Sequence, residues 1–201
     1  MKPRYIKYLC LFLCACGSAS PQAKDQTPID TVSVIAEAEP TLPLADGFDF
    51  PVGPPDAKKY YNAQPFGENL HLGDDWNGRG GGNSDLGDPV YSVARGLVVE
   101  ANDFGGGWGN VLRIVHQLDS AGRQVESLYA HLDTILLEEG DFVERGDQIA
   151  TIGNANGAYW AHLHLEIRAK VGLALGGGYS QNTDGYLDPT LFIREHRPIK
   201  R

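Results

Sequence analysis

Between Phe48 and the carboxyl terminus, the apolar residues nowhere repeat at a helical period. They come in short alternating runs cut by Gly, Asn and Asp, in a chain that carries 25 glycines. A period of two sends successive side chains to opposite faces of a strand, and Gly or Asn between runs supplies the turns. Val90 to Val99, Val111 to Val115, Val125 to Leu132, Gln148 to Ile152 and Leu163 to Ile167 are therefore predicted strands. The expected fold class is all-β, built of antiparallel sheets with little helix.

Three polar clusters interrupt this pattern: His71-Leu-Gly-Asp-Asp75, Tyr129-Ala-His131 and His162-Leu-His164. They hold four of the six histidines, and they lie far enough apart that only folding can bring them together. Histidine and aspartate are the usual ligands of a catalytic zinc, which takes three protein ligands and keeps one position open. Five candidates (His71, Asp75, His131, His162, His164) supply three ligands and leave two histidines to move protons. In a strand, residues i and i+2 share a face about 7 Å apart. That rule pairs His162 with His164 and Tyr129 with His131. Gly73 and the following Trp76-Asn-Gly78 argue against a helix at the first cluster, which reads as a strand end or loop. His116 and His196 read as structural.

In this order the clusters resemble the LytM/lysostaphin-like zinc endopeptidases of peptidoglycan, whose pattern is HxxxD, aromatic-x-His-Leu, then HxH followed by an acidic residue, here Glu166. The flanking text agrees: Gln64-Pro-Phe-Gly67, Asp88-Pro-Val-Tyr-Ser-Val-Ala-Arg-Gly96, Gly109 to His116 and Gly140 to Ile149, with Asp188-Pro189 matching the family's closing strand. The resemblance covers about residues 47 to 195. It implies a sheet whose open face is a groove with zinc at its floor. It further implies His71, Asp75 and His164 as metal ligands and His131 and His162 as catalytic histidines. The implied substrate is the peptide cross-link of peptidoglycan, reached through its stem peptides by a protein expected to act as a monomer. The competing class is a non-catalytic regulator that binds another wall hydrolase.

The amino terminus carries Lys2, Arg4 and Lys7, then an apolar run from Tyr8 to Ala15 that is too short to span a bilayer and reads as a signal peptide over residues 1–15. Leu13-Cys-Ala-Cys16-Gly-Ser resembles a bacterial lipobox. Cleavage before Cys16 would remove two of the three cysteines and leave one to be acylated, which explains a count that no internal disulfide can. A lipid-anchored protein of the cell envelope is expected, with Gly17 favouring the outer membrane, facing the periplasm, in a Gram-negative host.

Proline-punctuated, aromatic-free sequence makes residues 16–45 a flexible linker after Cys16. Residues 46–201 are left as the metallopeptidase domain. Losing Lys2, Arg4 and Lys7 with the leader takes the net charge from −9 to −12, which excludes nucleic acid as a partner. Two segments depart from the family pattern: the glycine-rich connection 77–88 and the stretch 176–186, both expected to edge the groove. The Asn and Asp residues of the first suit turns better than a calcium loop. Asp74 is expected either to orient His71 or to be an exposed charge.

Overall fold

The computed structural model describes residues 42–198. The expected leader, Cys16 and nearly all of the linker lie outside the described residues. The strands are β1 (Tyr60–Gln64), β2 (Asp74–Gly78), β3 (Pro89–Tyr91), β4 (Gly96–Asp103), β5 (Asn110–Gln117), β6 (Gln124–Leu132), β7 (Phe142–Val143), β8 (Gln148–Thr151), β9 (Leu163–Arg168) and β10 (Tyr186–Leu187), followed by helix α1 (Pro189–Glu195). Eight strands make one antiparallel sheet in the order β1-β2-β9-β6-β5-β4-β7, with β10 also paired to β9, while β3 and β8 pair apart from it.

Alternation decides what each face does. Leu163, Leu165 and Ile167 of β9 join Tyr129 of β6 and Leu112 and Ile114 of β5 in the core, all with no exposed surface. Burying an aliphatic side chain of this size contributes about 1.5–3 kcal/mol. Their alternates, His164, Glu166 and Arg168, take the opposite face. That face is buried as well, because residues 172–175 fold across it: the carbonyl of Leu173 accepts hydrogen bonds from Arg168 and Arg113, and the Gly172 amide donates to Glu126.

Two sequence expectations are corrected here. The single strand expected over 90–99 is two, β3 and β4, in different sheets. Val93 and Ala94 between them are fully buried, and the Val93 amide donates to the Tyr129 hydroxyl at 3.0 Å, so the chain passes inward where alternation suggested it ran on. Asp188-Pro189 does not lie in a closing strand. Asp188 caps α1, accepting from the Leu191 amide at 2.9 Å, and Pro189 opens the helix, where its missing N–H costs nothing. Phe192 and Ile193 of α1 then close one side of the core.

Candidate active site

Pairing of β2 with β9 sets Asp75 directly opposite His164, so both side chains rise on the same face. The approach is close at Gly73, where a Cβ would stand 2.5 Å from the Leu165 carbonyl oxygen and 2.8 Å from His164 Cε1. Just before it, a 3-10 turn (Glu68–Leu70) delivers His71, and the Leu72 amide donates to the Gly178 carbonyl at 2.9 Å. His71 Nε2 thereby lies 3.0 Å from His164 Nδ1 and 3.4 Å from Asp75 Oδ1, and Oδ1 lies 2.9 Å from His164 Nδ1.

The outward nitrogens fix the chemistry of the inward ones. His71 Nδ1 stands 3.1 Å from the Gln64 carbonyl oxygen, so it donates there and leaves a lone pair on Nε2. His164 Nε2 stands 3.2 Å from Glu166 Oε1, which leaves the lone pair on Nδ1. Two imidazole lone pairs and a carboxylate oxygen then converge within 4.8 Å of one another, a repulsive arrangement that a cation relieves and a donor set that suits zinc. The three residues could hold a metal ion. Lacking one, His164 holds a proton: burial alone would lower its pKa, but hydrogen bonds to Asp75 and Glu166 push it up to about 9. Burial would raise the Asp75 pKa, yet the hydrogen bond and charge of protonated His164 beside it hold its carboxyl well below the usual carboxylate range.

The other two histidines reach the same cleft by different routes. His162 precedes β9 and shares a face with His164; its Nδ1 donates to the Trp160 carbonyl at 2.8 Å, and its Nε2 lies 3.8 Å from Asp75 Oδ2. His131 arrives through a bulge. Between Leu112↔Tyr129 and Asn110↔Leu132, β6 spends one residue more than β5, and His131 takes φ 61°, a left-handed conformation that histidine adopts only where its surroundings hold it. Tyr129 and His131 therefore do not share a face. Tyr129 points into the core, while the His131 ring lies 4.7 Å from that of His162 and 5.6 Å from that of His164, centroid to centroid. All five selected residues thus line one cleft of about 430 Å3.

Residues 81–177 match the model of peptidase family M23. The chain is 40% identical over 84 residues to lipoprotein NlpD of Yersinia enterocolitica, a stretch that is 42% of this chain and 80% of that protein. The chain belongs to peptidase family M23. His71 and Asp75 lie upstream of the matched span, whereas His131, His162 and His164 fall within it. Identity is 39% over 84 residues to the murein hydrolase activator NlpD of Salmonella dublin, covering 42% of this chain but 21% of that protein. A Pseudomonas aeruginosa structure assigned to peptidase M23 superposes with a TM-score of 0.53 at 23% identity, over 82% of this chain and 56% of that one, a likeness of fold.

Behind the cleft of this M23 chain runs a ladder of buried charge. Arg168 Nε donates to Glu166 Oε2 at 2.7 Å and Nη1 reaches Glu126 Oε1 at 3.5 Å. Arg113 grips both oxygens of Glu126 at 2.9 Å and also Glu100 at 2.8 Å. Starting from Asp75 and His164, the signs alternate across β2, β9, β6, β5 and β4. Sequence reading found Glu166 but missed both arginines and Glu126, since polar letters in an alternating strand look like a solvated face.

Three aromatic residues of the cleft and one beside it were also missed. Trp108 accepts from the backbone amide of His131 at 3.0 Å and from its Nδ1 at 3.3 Å through one carbonyl, and its indole donates to the Gly176 carbonyl at 3.1 Å. Tyr159 stands over His131, and Tyr179 lies against His71 with ring centroids 5.1 Å apart. Trp160 borders the neighbouring pocket. Only the last had a sequence signal, its place two residues before His162. The segment 176–186 does edge the groove, through Gly177, Gly178 and Tyr179. Asp74 does neither thing expected of it. It is fully buried on the opposite face from Asp75, and accepts from the Phe66 amide at 3.0 Å and the Thr190 hydroxyl at 2.6 Å, which ties α1 to β2. His116 is buried too, bonded to Ser127 and to the Arg95 carbonyl, and burial pushes its pKa down to about 4.

Proposed function

We propose that this protein is a zinc endopeptidase that hydrolyses the peptide cross-links of peptidoglycan. The observation that carries this is the convergence of His71 Nε2, Asp75 Oδ1 and His164 Nδ1, with both histidines turned inward by their own outer partners, beside two further histidines that the metal does not need. Zinc held there would supply Lewis-acid activation of a water molecule and of the scissile carbonyl. The chain's own contribution is proton handling and charge stabilisation by His131 and His162. Burial, then repulsion from His164 and His162, pushes the His131 pKa down to about 3, so its ring is neutral at pH 7. With Nδ1 donating to Trp108, its Nε2 is free to accept a proton from water or, once charged, to support an oxyanion. His162, held the same way by Trp160, presents its Nε2 to the same cleft. Trp108, Tyr159 and Tyr179 line the cleft around these groups.

Anchoring through an acylated Cys16 would hold the enzyme on a membrane and let the linker carry it to the wall. The lipoprotein relative supports that reading. The Salmonella relative's name supports a second reading, a lipid-anchored protein that activates another murein hydrolase. The intact set of five cleft residues favours catalysis, since a purely docking domain gains nothing from them. Digestion of purified peptidoglycan with the chain, with chelator, with added zinc and with His164→Ala, separates the two. Zinc-dependent loss of cross-linked dimers, absent in the variant, is expected. Absence of cleavage by a zinc-loaded chain, together with stimulation of a partner hydrolase by His164→Ala, would establish the activator instead.

A further inference from the structure

A second open pocket, of about 590 Å3, adjoins the metal cleft and shares Tyr159 and His162 with it. Its other walls include Asn77, Asn83, Asn154 and Trp160, and its lining carries no carboxylate, Lys or Arg. We propose that this pocket is a saccharide subsite, taking a neutral N-acetylated amino sugar of the glycan strand while the attached stem peptide enters the metal cleft. It rests on the peptidoglycan reading above and specifies which part of the polymer the protein grips.

The chemistry of the walls selects the occupant. Stem peptides carry carboxylate and ammonium groups, for which this pocket offers no opposite charge. A pyranose ring offers a face of C–H bonds and a rim of hydroxyl and acetamido groups, which suits an aromatic plane flanked by neutral amides. Trp160 supplies the plane. It is 70% exposed, although the backbone beside it is clamped: the Ala161 amide donates to Asn83 Oδ1 at 2.8 Å, Asn77 Nδ2 donates to the Ala161 carbonyl at 3.2 Å, and the Trp160 carbonyl accepts from His162. A rigidly mounted indole left bare to water is a binding surface rather than a packing residue.

The amides are oriented as well. Asn83 turns its Oδ1 to Ala161, and Asn154 turns its Oδ1 to the Gly157 amide at 2.9 Å. Their NH2 groups make no other hydrogen bond among the described residues, which leaves donors for sugar oxygens. The glycine-rich connection is accounted for in the same way: it carries Asn83, and Gly82 packs at the indole edge, where a Cβ would stand 3.9 Å from Trp160 Cε3. Because the Trp160 carbonyl also holds His162 Nδ1, the sugar would stack two residues from a proton-handling group.

The probes are peptide-free glycan strands, a cross-linked stem-peptide dimer lacking sugars, and the same dimer still bearing its disaccharides. The full chain, treated with chelator, should bind the glycan strands with a change in tryptophan fluorescence. Trp160→Ala should weaken that binding by about tenfold, and Trp160→Phe should retain most of it. In the zinc-loaded chain, Trp160→Ala should lower the kcat/KM preference for the disaccharide-bearing dimer over the sugar-free one by a similar factor. Glycan strands that do not bind, or that bind Trp160→Ala as tightly as the unaltered chain, would overturn the subsite. Glycan binding lost in Trp160→Ala, with neither dimer cleaved, would uphold the subsite and sink the peptidase reading. Cleavage of both dimers with equal efficiency and no glycan binding would do the reverse.

Discussion

His131 and Tyr129 stand two residues apart on β6 and face opposite sides of the sheet. Regular alternation would have buried both in the core. The extra residue between Leu112↔Tyr129 and Asn110↔Leu132 turns His131 back toward the cleft, at φ 61°. A left-handed conformation costs a non-glycine residue about 1–2 kcal/mol, so the fold holds His131 there at the expense of stability.

His131→Asn and His131→Val separate the two consequences. Asn tolerates the left-handed region and Val does not. Both should lower peptidoglycan hydrolysis by on the order of 100-fold or more, the usual worth of a positioned proton-transfer group. The Val variant alone should unfold at clearly lower urea concentration, by about 1–2 kcal/mol. Equal stability of the two would mean that the bulge is not strained.

The bulge also marks the limit of what the sequence discloses. The regular part of the site was legible, since His162 and His164 sit at i and i+2 at the start of β9. The β2–β9 pairing that sets Asp75 opposite His164 was not, because Gly73 and Trp76-Asn-Gly78 read as a strand end or loop. The letters Leu128-Tyr-Ala-His-Leu132 read the same with or without an extra residue in the ladder, so nothing in them shows that His131 is re-aimed. Arg168 and Glu126 look like solvent-facing letters in alternating strands, and it takes the 172–175 segment folding over them to make them interior. The helix α1 is seven residues long, too short to show a period, though its Asp188-Pro189 start was there to read.

Arg168 lies between Glu126 and Glu166, and none of the three has exposed surface. Arg168→Met leaves two buried carboxylates short of a partner and should destabilise the fold by about 3–5 kcal/mol. Adding Glu166→Leu removes one of those charges and should recover part of the loss. Because His164 Nε2 then has no acceptor, metal affinity should remain about 10–100-fold weaker than in the unaltered chain. Urea midpoints and competitive zinc titration give the two readouts. Full recovery of zinc affinity in the double variant would show that Glu166 does not orient His164.

His164 couples stability to pH when the chain is stripped of metal. Burial alone would lower its pKa, but Asp75 and Glu166 push it up to about 9, above the roughly 6.5 of an unfolded histidine. Between those values the folded chain keeps a proton that the unfolded chain releases. The resulting stabilisation, on the order of 3 kcal/mol, is present in full below pH 6.5 and is lost as pH rises through 9. Zinc must displace the same proton, so its apparent affinity should rise across that range. Denaturation of the chelated chain at pH 6.5 and 9 is the check. A chelated chain equally stable at both would contradict the proton assigned to His164.

At Gly73 the backbone passes close against one of the three candidate metal ligands. A methyl group there would stand 2.5 Å from the Leu165 carbonyl and 2.8 Å from His164 Cε1, neither of which is the free end of a flexible side chain. Gly73→Ala should therefore spread β2 from β9, at a cost of about 1–3 kcal/mol. The same displacement would carry Asp75 away from His164, since the two are held opposite each other by that pairing. Zinc affinity should fall along with stability. Gly177→Ala is the control: it lines the same cleft, but a Cβ there meets nothing within 4 Å, and the substitution should change stability little. If Gly73→Ala bound zinc as tightly as the unaltered chain, the spacing of β2 and β9 would not be what sets the geometry of the metal ligands.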